Sequence, residues 1–245
     1  MTDGVLLIHA FPLDARMWDP QLAAFGDGVP VVAPHLPGFG GTAATGDVMT
    51  MASAADRCIE ALDAAGLERA VVCGLSMGGY VAFQLWRTAH ERFAGLVLSN
   101  TRAGADTPEG AAGRRALAER LLAEGNGFLV ESPPPLLSEQ ANDGLRRRVR
   151  ELIASQPAAS IAAAALGMAD RPDSTSDLAT IDVPTLVVTS DGDTLIPASA
   201  TSPMADQIPG AELAVIDGAG HLSNLEAEGA FDELLAHHLE RCLPD

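Results

Sequence analysis

The stretch Ala70-Val71-Val72-Cys73-Gly74-Leu75-Ser76-Met77-Gly78-Gly79-Tyr80-Val81-Ala82-Phe83-Gln84 passes from an apolar strand-like run, through Gly-x-Ser-x-Gly, directly into a helix-like run. That order describes a nucleophile elbow, a turn tight enough to hold Ser76 in a strained backbone conformation at the carboxyl end of a buried strand. Gly74 and Gly78 flank the serine because a side chain there would collide where strand and helix come close. The turn lifts the Ser76 hydroxyl clear of the sheet and leaves the Met77 amide at a helix N-terminus, where charge developing on a substrate oxygen is stabilised. A serine in a Gly-rich strand-to-helix turn can also hold a phosphate, so a base and an acid elsewhere must decide between the two.

Outward from the elbow, short apolar runs alternate with helical spacing. Strands are expected at Val5 to Ile8, Val29 to Ala33, Gly95 to Ser99, Thr185 to Thr189 and Glu212 to Ile216. Helices are expected at Met17 to Phe25, Met51 to Ala65 (with Ala55, Ile59 and Leu62 on one stripe), Ala198 to Gln207 and Leu225 to Arg241. Strands that are apolar throughout, alternating with helices, predict a parallel sheet covered on both faces. The stretch from Thr101 to Leu178 interrupts the rhythm. It offers helices at Ala116 to Glu124, Asp143 to Ser155 and Ala158 to Met168, broken by Pro133-Pro134-Pro135. A helical insertion of that length between parallel strands is expected to cap the sheet's carboxyl edge. The chain therefore divides into a core, 1–100 with 179–245, and a cap, 101–178.

Serine is a weak nucleophile at neutral pH, so a histidine must take its proton and a carboxylate must orient that histidine. Two later strands supply both. Thr185 to Thr189 runs into Ser190-Asp191-Gly192-Asp193-Thr194-Leu195-Ile196-Pro197, and Glu212 to Ile216 runs into Asp217-Gly218-Ala219-Gly220-His221. Asp193 is preferred to Asp191 as the acid because its spacing to Pro197 puts it in the turn entering the next helix, while Asp191 ties that turn. His221 is the base, being in a Gly-rich loop directly after a strand. His90, His237 and His238 are expected to be solvated. The loop after the first strand, His9-Ala10-Phe11-Pro12-Leu13-Asp14, offers the Phe11 amide as a second oxyanion donor beside Met77, since Pro12 has no N–H. His9 has no partner at metal-ligand spacing and is expected to bond to backbone beneath this loop.

Composition limits the chemistry. The chain has 245 residues and a formal charge of −18, with its fifteen basic residues all arginine. Such a surface repels nucleic acid and anionic membranes, and the absence of lysine excludes a Schiff-base mechanism. No run of eighteen apolar residues and no signal-peptide pattern is present, and an odd count of three cysteines, Cys58, Cys73 and Cys242, fits a reduced cytoplasmic protein.

Together these residues resemble the α/β-hydrolase superfamily over nearly the whole chain. His9-Ala10-Phe11-Pro12 is similar to its oxyanion loop, Leu36-Pro37-Gly38-Phe39-Gly40 to the loop after the next strand, and Gly74 to Gly79 to its elbow. Asp193-x-x-x-Pro197 is similar to its acid turn and Gly220-His221 to its base loop. Within it, the motifs look closest to 3-oxoadipate enol-lactonase-like hydrolases and small bacterial carboxylesterases. The resemblance implies an α/β-hydrolase fold and a serine hydrolase of a small carboxylic ester or lactone, with Ser76, Asp193 and His221 catalytic and no metal or organic cofactor. C–C bond hydrolysis or perhydrolysis would use the same triad, and a slow-turnover ligand receptor would keep the same pocket. Phe11, Trp18, Met77, Phe128, Leu129, Leu136 and Met168 are the expected lining, with ordinary core packing the alternative for each; an enol-lactonase would also need a cation for its substrate's carboxylate, for which Arg102 is the candidate, a surface salt bridge being its alternative. Ala10 stands where the family has glycine. The sequence starts at what resembles the family's third strand, so a sheet of about six strands without the family's N-terminal antiparallel pair is expected. Val29 to Ala33 becomes a sheet edge, shielded by a loop or paired with a second copy in a homodimer.

Overall fold

The elbow strand is the centre of a six-stranded sheet in which every neighbouring pair is parallel. The computed structural model describes residues 2–243. In chain order, β1 (Asp3–Ile8) leads through a 3-10 turn (Ala15–Trp18) to α1 (Asp19–Phe25), β2 (Val31–Val32) and α2 (Met51–Ala64). The elbow unit follows as β3 (Arg69–Leu75) and α3 (Met77–Ala89), then β4 (Phe93–Ser99). Four helices come next: α4 (Pro108–Glu124), α5 (Gly127–Glu131), α6 (Asp143–Ala154) and α7 (Ala158–Ala169). The chain closes with β5 (Thr185–Ser190), α8 (Ala198–Thr201), α9 (Pro203–Gln207), β6 (Glu212–Ile216), α10 (Ser223–Glu226) and α11 (Glu228–Cys242). The strand order is β2-β1-β3-β4-β5-β6.

Central strands β1, β3, β4 and β5 are buried almost throughout, as their unbroken apolar runs require of a sheet covered on both faces. Their register brings Ile8 beside Gly74, Leu75 beside Ser99, and Ser190 beside Ile216. The loops carrying the candidate residues therefore leave the sheet along one edge.

Several expected elements differ, each for a local reason. The strand expected at Val29 to Ala33 is only Val31–Val32. The Val29 amide turns back to Phe25 O at 3.2 Å, and Pro30 and Pro34 have no N–H to offer a ladder. The helix expected from Met17 opens as a 3-10 turn capped by Asp14, whose Oδ1 accepts the Arg16 amide at 3.0 Å. Pro203 divides Ala198 to Gln207 into two short helices, taking the first turn of α9. The last helix is interrupted at Ala227, whose backbone leaves the helical region (φ −129°, ψ 54°). That break resets the helical phase, and His238 is buried, not solvated as expected. Its Nε2 lies 3.4 Å from Cys242 Sγ, and burial lowers its pKa to about 4. His90 and His237 are exposed.

Helix starts follow side-chain capping. Thr50, Thr107 and Asn142 each accept an amide three residues on, at 3.0, 3.1 and 2.9 Å, satisfying donors that a helix start leaves free. The helix α7 is rich in alanine and mostly buried, so it runs close to its neighbours. A Cβ on Gly167 would fall onto the Met49 carbonyl, while Met49 N donates to Ala163 O at 3.1 Å.

Candidate active site

Ser76 links β3 to α3 with φ 57° and ψ −113°, a region a non-glycine residue occupies only when its surroundings impose it. The imposing contacts are backbone. A Cβ on Gly74 would strike the Gly78 carbonyl, and one on Gly78 would strike the Ile8 carbonyl. Ser76 N donates to Ser99 O at 2.9 Å, and Thr101 Oγ1 donates to Ser76 O at 2.8 Å. The Met77 amide opens α3 and, like the Phe11 amide, donates to no protein acceptor among the described residues.

Asp193 and His221 meet from different loops. His221 Nδ1 lies 2.8 Å from Asp193 Oδ2, both side chains fully buried. Asp193 Oδ1 accepts the amides of Leu195 and Ile196, both at 2.9 Å, and Oδ2 also accepts Asn100 Nδ2 at 2.9 Å. Burial alone would push the Asp193 carboxyl up. The His221 contact, the Ile196 amide and Asn100 outweigh it and hold the pKa below the ordinary carboxylate range. A carboxylate so held keeps the Nδ1 proton in place and leaves Nε2 as the basic nitrogen. Nε2 is buried and has no hydrogen-bond partner among the described residues. Asp191 does tie the turn, as expected: its Oδ1 accepts Gly218 N at 2.6 Å, joining the two loops.

Asn100, unmarked by any motif, is a further part of this constellation. It is buried at φ 45°, donates to Ser190 Oγ at 3.1 Å as well as to Asp193, and accepts from Ser223 Oγ at 2.8 Å. The available signal was position, since it directly follows β4 at the edge where the other candidates emerge. His9 bonds to backbone as expected. Its Nε2 accepts Leu36 N at 3.1 Å, Nδ1 faces Ala10 O at 3.2 Å, and burial lowers its pKa to about 4, so it is neutral at pH 7.

A cavity of about 250 Å³ opens over Ser76. Phe11, Tyr80 and Ile196 line it from the sheet side, with Leu117, Leu129, Pro134 and Met168 from the segment between β4 and β5. Arg102 and Arg114 also line it. Of the expected lining residues, Phe11, Arg102, Leu129 and Met168 are present. Trp18 is instead a core residue packed on Phe231 (ring centroids 5.8 Å apart), because the 3-10 turn points it inward. Met77 is fully buried beneath the elbow. Phe128 lies on an outer groove under Arg120, and Leu136 lines a separate groove of about 390 Å³ along Pro133 to Glu139. Among the described residues, no group of three or more His, Cys, Asp or Glu is arranged to hold a metal.

The segment Pro133 to Glu139 sits on the loops bearing Asp193 and His221. Leu222 N donates to Leu136 O at 2.9 Å, while Glu226 accepts Ser138 N and Gly220 N, each at 3.0 Å.

A parallel sheet with a strained serine elbow, and an Asp–His pair on the loops after β5 and β6, defines the class of α/β hydrolases. Residues 5–234 match the model of the Alpha/beta hydrolase family, and the chain belongs to that family. A solved thermophilic esterase from Thermogutta terrifontis, with malate bound, is 39% identical and superposes with a TM-score of 0.94, over 99% of this chain and 90% of that one. The 3-oxoadipate enol-lactonase 1 of Acinetobacter baylyi is 29% identical over 240 residues, 95% of this chain and 87% of the relative. The pimeloyl-[acyl-carrier protein] methyl ester esterase of Aromatoleum aromaticum is 31% identical over 234 residues, 89% of this chain and 90% of the relative.

Proposed function

We propose that this protein is a serine hydrolase of small carboxylic esters or lactones, working through an acyl-enzyme on Ser76. The observation that carries the proposal is the His221 Nδ1 to Asp193 Oδ2 contact of 2.8 Å on the sheet edge where Ser76 is held at φ 57°. In the first step Ser76 Oγ attacks the carbonyl carbon and His221 Nε2 takes its proton. The amides of Phe11 and Met77, both without acceptors among the described residues, receive the oxyanion. As the carbon–oxygen bond to the alcohol breaks, His221 returns the proton to the leaving oxygen. Water then attacks the acyl carbon with His221 again as base, releasing the acid and restoring Ser76.

Esterase and lactonase relatives support the choice of an ester or lactone carbonyl. On this reading the segment 101–178 is a cap over the core, supported by Leu117, Leu129 and Met168 meeting Ser76 in one cavity. The three cysteines are free and buried, which fits a cytoplasmic setting. The edge strand β2, half-buried and paired only with β1, is where a second copy would add to the sheet.

Labelling with a fluorophosphonate tests the reading. Wild-type protein should be labelled at Ser76 and should turn over short 4-nitrophenyl esters, and Ser76→Ala should lose both. Unlabelled, inactive wild-type protein would leave a binding scaffold as the better account.

A further inference from the structure

His221 is aimed by the loop that carries it, and that loop is held from outside. Towards β6 it is tied to the acid loop: Gly218 N donates to Asp191 Oδ1 at 2.6 Å, and Ala219 O accepts Gly192 N at 3.1 Å. Around the base itself the partners change. Gly220 N, just before His221, donates to Glu226 Oε2 at 3.0 Å, and Leu222 N, just after it, donates to Leu136 O at 2.9 Å. The same Glu226 carboxylate accepts Ser138 N at 3.0 Å and the Ser138 hydroxyl. One side chain therefore grips both the residue before the base and the segment between β4 and β5.

The grip is rigid at both ends. Glu226 is half-buried, and a carboxylate meeting N–H and O–H donors there makes strong, directional bonds. Its own backbone is fixed, since Glu226 N donates to Leu222 O at 3.0 Å at the start of α10. Ser138 is fixed from behind, its carbonyl accepting Arg146 Nη2 of α6 at 2.7 Å. Between the two there is no slack: a Cβ on Gly220 would strike Ser138 N and the Leu137 carbonyl carbon, so loop and segment touch backbone to backbone. A base must be held to within about 0.5 Å of its productive geometry, and a Gly-rich loop does not do that unaided.

We propose that Glu226 is a positioning residue for His221: its carboxylate locks the Gly220 amide to Ser138 and so holds the imidazole where Nε2 meets Ser76. It does not touch substrate. The inference rests on the serine-hydrolase reading above and adds a second support for the base. Asp193 fixes the ring through Nδ1, and Glu226 fixes the backbone that carries the ring. The stretch from Leu136 to Ser138 then belongs to the catalytic apparatus as a fixed buttress.

Three variants test the role on a short 4-nitrophenyl ester. Glu226→Ala removes every contact and should lower kcat by about 10- to 100-fold, the range of a charge-assisted hydrogen bond, while KM stays within about twofold. Glu226→Gln should restore most of kcat, because its amide oxygen can face both N–H groups and its NH2 the Ser138 hydroxyl. Glu226→Asp is a methylene too short to span Gly220 and Ser138, should resemble E226A, and carries the test if the alanine variant does not fold. A second readout needs no turnover. The low-field proton NMR signal of His221 Nδ1–H, identified by its loss in D193N, should broaden through faster exchange with water in E226A and E226D and stay sharp in E226Q. An unchanged kcat in E226A and E226D, a rise in KM alone, or a His221 signal as sharp as in wild type would each overturn the role. Failure of the hydrolase reading alone would look different, with wild-type Ser76 inert to fluorophosphonate beside a His221 signal that still depends on Glu226.

Discussion

Asn100 donates from Nδ2 to Asp193 Oδ2 at 2.9 Å, the same carboxylate oxygen that faces His221 Nδ1. Since Asn100 also bonds Ser190 and Ser223, it braces the acid from the strand next to the elbow. Asn100→Ala should lower kcat on a short 4-nitrophenyl ester by about tenfold while KM changes little, because the lost bond orients Asp193 and not the substrate. Asn100→Gly, which relieves the backbone at φ 45°, should show the same kcat loss with a smaller drop in melting temperature. An unchanged kcat in both variants would remove Asn100 from the constellation.

Asp193→Asn should reduce kcat by about 10⁴-fold, as an amide cannot hold the tautomer in which His221 Nε2 is the base. Steady-state kinetics and fluorophosphonate labelling rate should fall together. A loss of less than tenfold would point to another acid.

Ser76 is stored strain. At φ 57° and ψ −113° a side chain costs about 1–3 kcal/mol that glycine avoids. Ser76→Gly should therefore be inactive and more stable than wild type, with a higher urea midpoint. A lower midpoint would show that the serine side chain is held by contacts stronger than the strain.

Two helical glycines should respond oppositely to alanine. In Gly167→Ala the new methyl meets the Met49 carbonyl, so α7 must move away from the start of α2, at about 1–3 kcal/mol. Because α7 also carries Met168 of the cavity, KM should change as well. Gly113 lies in α4 with open space around it, and Gly113→Ala should stabilise by about 0.5–1 kcal/mol. Thermal melts of both variants check the pair.

Acid should weaken the fold before its carboxylates titrate. His9 and His238 take up a proton near pH 4 in the folded chain and near 6.5 when unfolded. Between those values the unfolded state binds more protons, so stability falls as pH is lowered, on the order of 3 kcal/mol for each group. Asp14 and Asp106 have lowered pKa values, and their contribution is lost only below the ordinary carboxylate range. Urea midpoints should drop from pH 7 to pH 4.5, and less in His238→Phe. A flat profile over that interval would contradict it.

The residues legible in sequence share one property: each follows a strand within a few residues. Ser76, Asp193 and His221 fall at the ends of β3, β5 and β6, so an apolar run followed by Gly-rich chain was enough to find them. Trp18 and His238 are core residues against expectation, because the 3-10 turn before Asp19 points Trp18 inward and the break at Ala227 changes the face that His238 occupies. Asn100 carried no motif, and its partners Asp193 and Ser223 lie 93 and 123 residues away.

From local order alone, the sequence determined the parallel α/β core and the elbow, because apolar runs, glycines at close approaches and helix caps act on residues near in the chain. Which side chains meet in the cavity beside Ser76 was decided only by tertiary structure. Arg102 follows β4, Arg114 lies on α4 and Arg171 follows α7, and nothing in their spacing brings them to the one carboxylate of Asp106. Packing of α4 against α7 does so, folding these helices back over Ser76, and burial turns three scattered charges into one field.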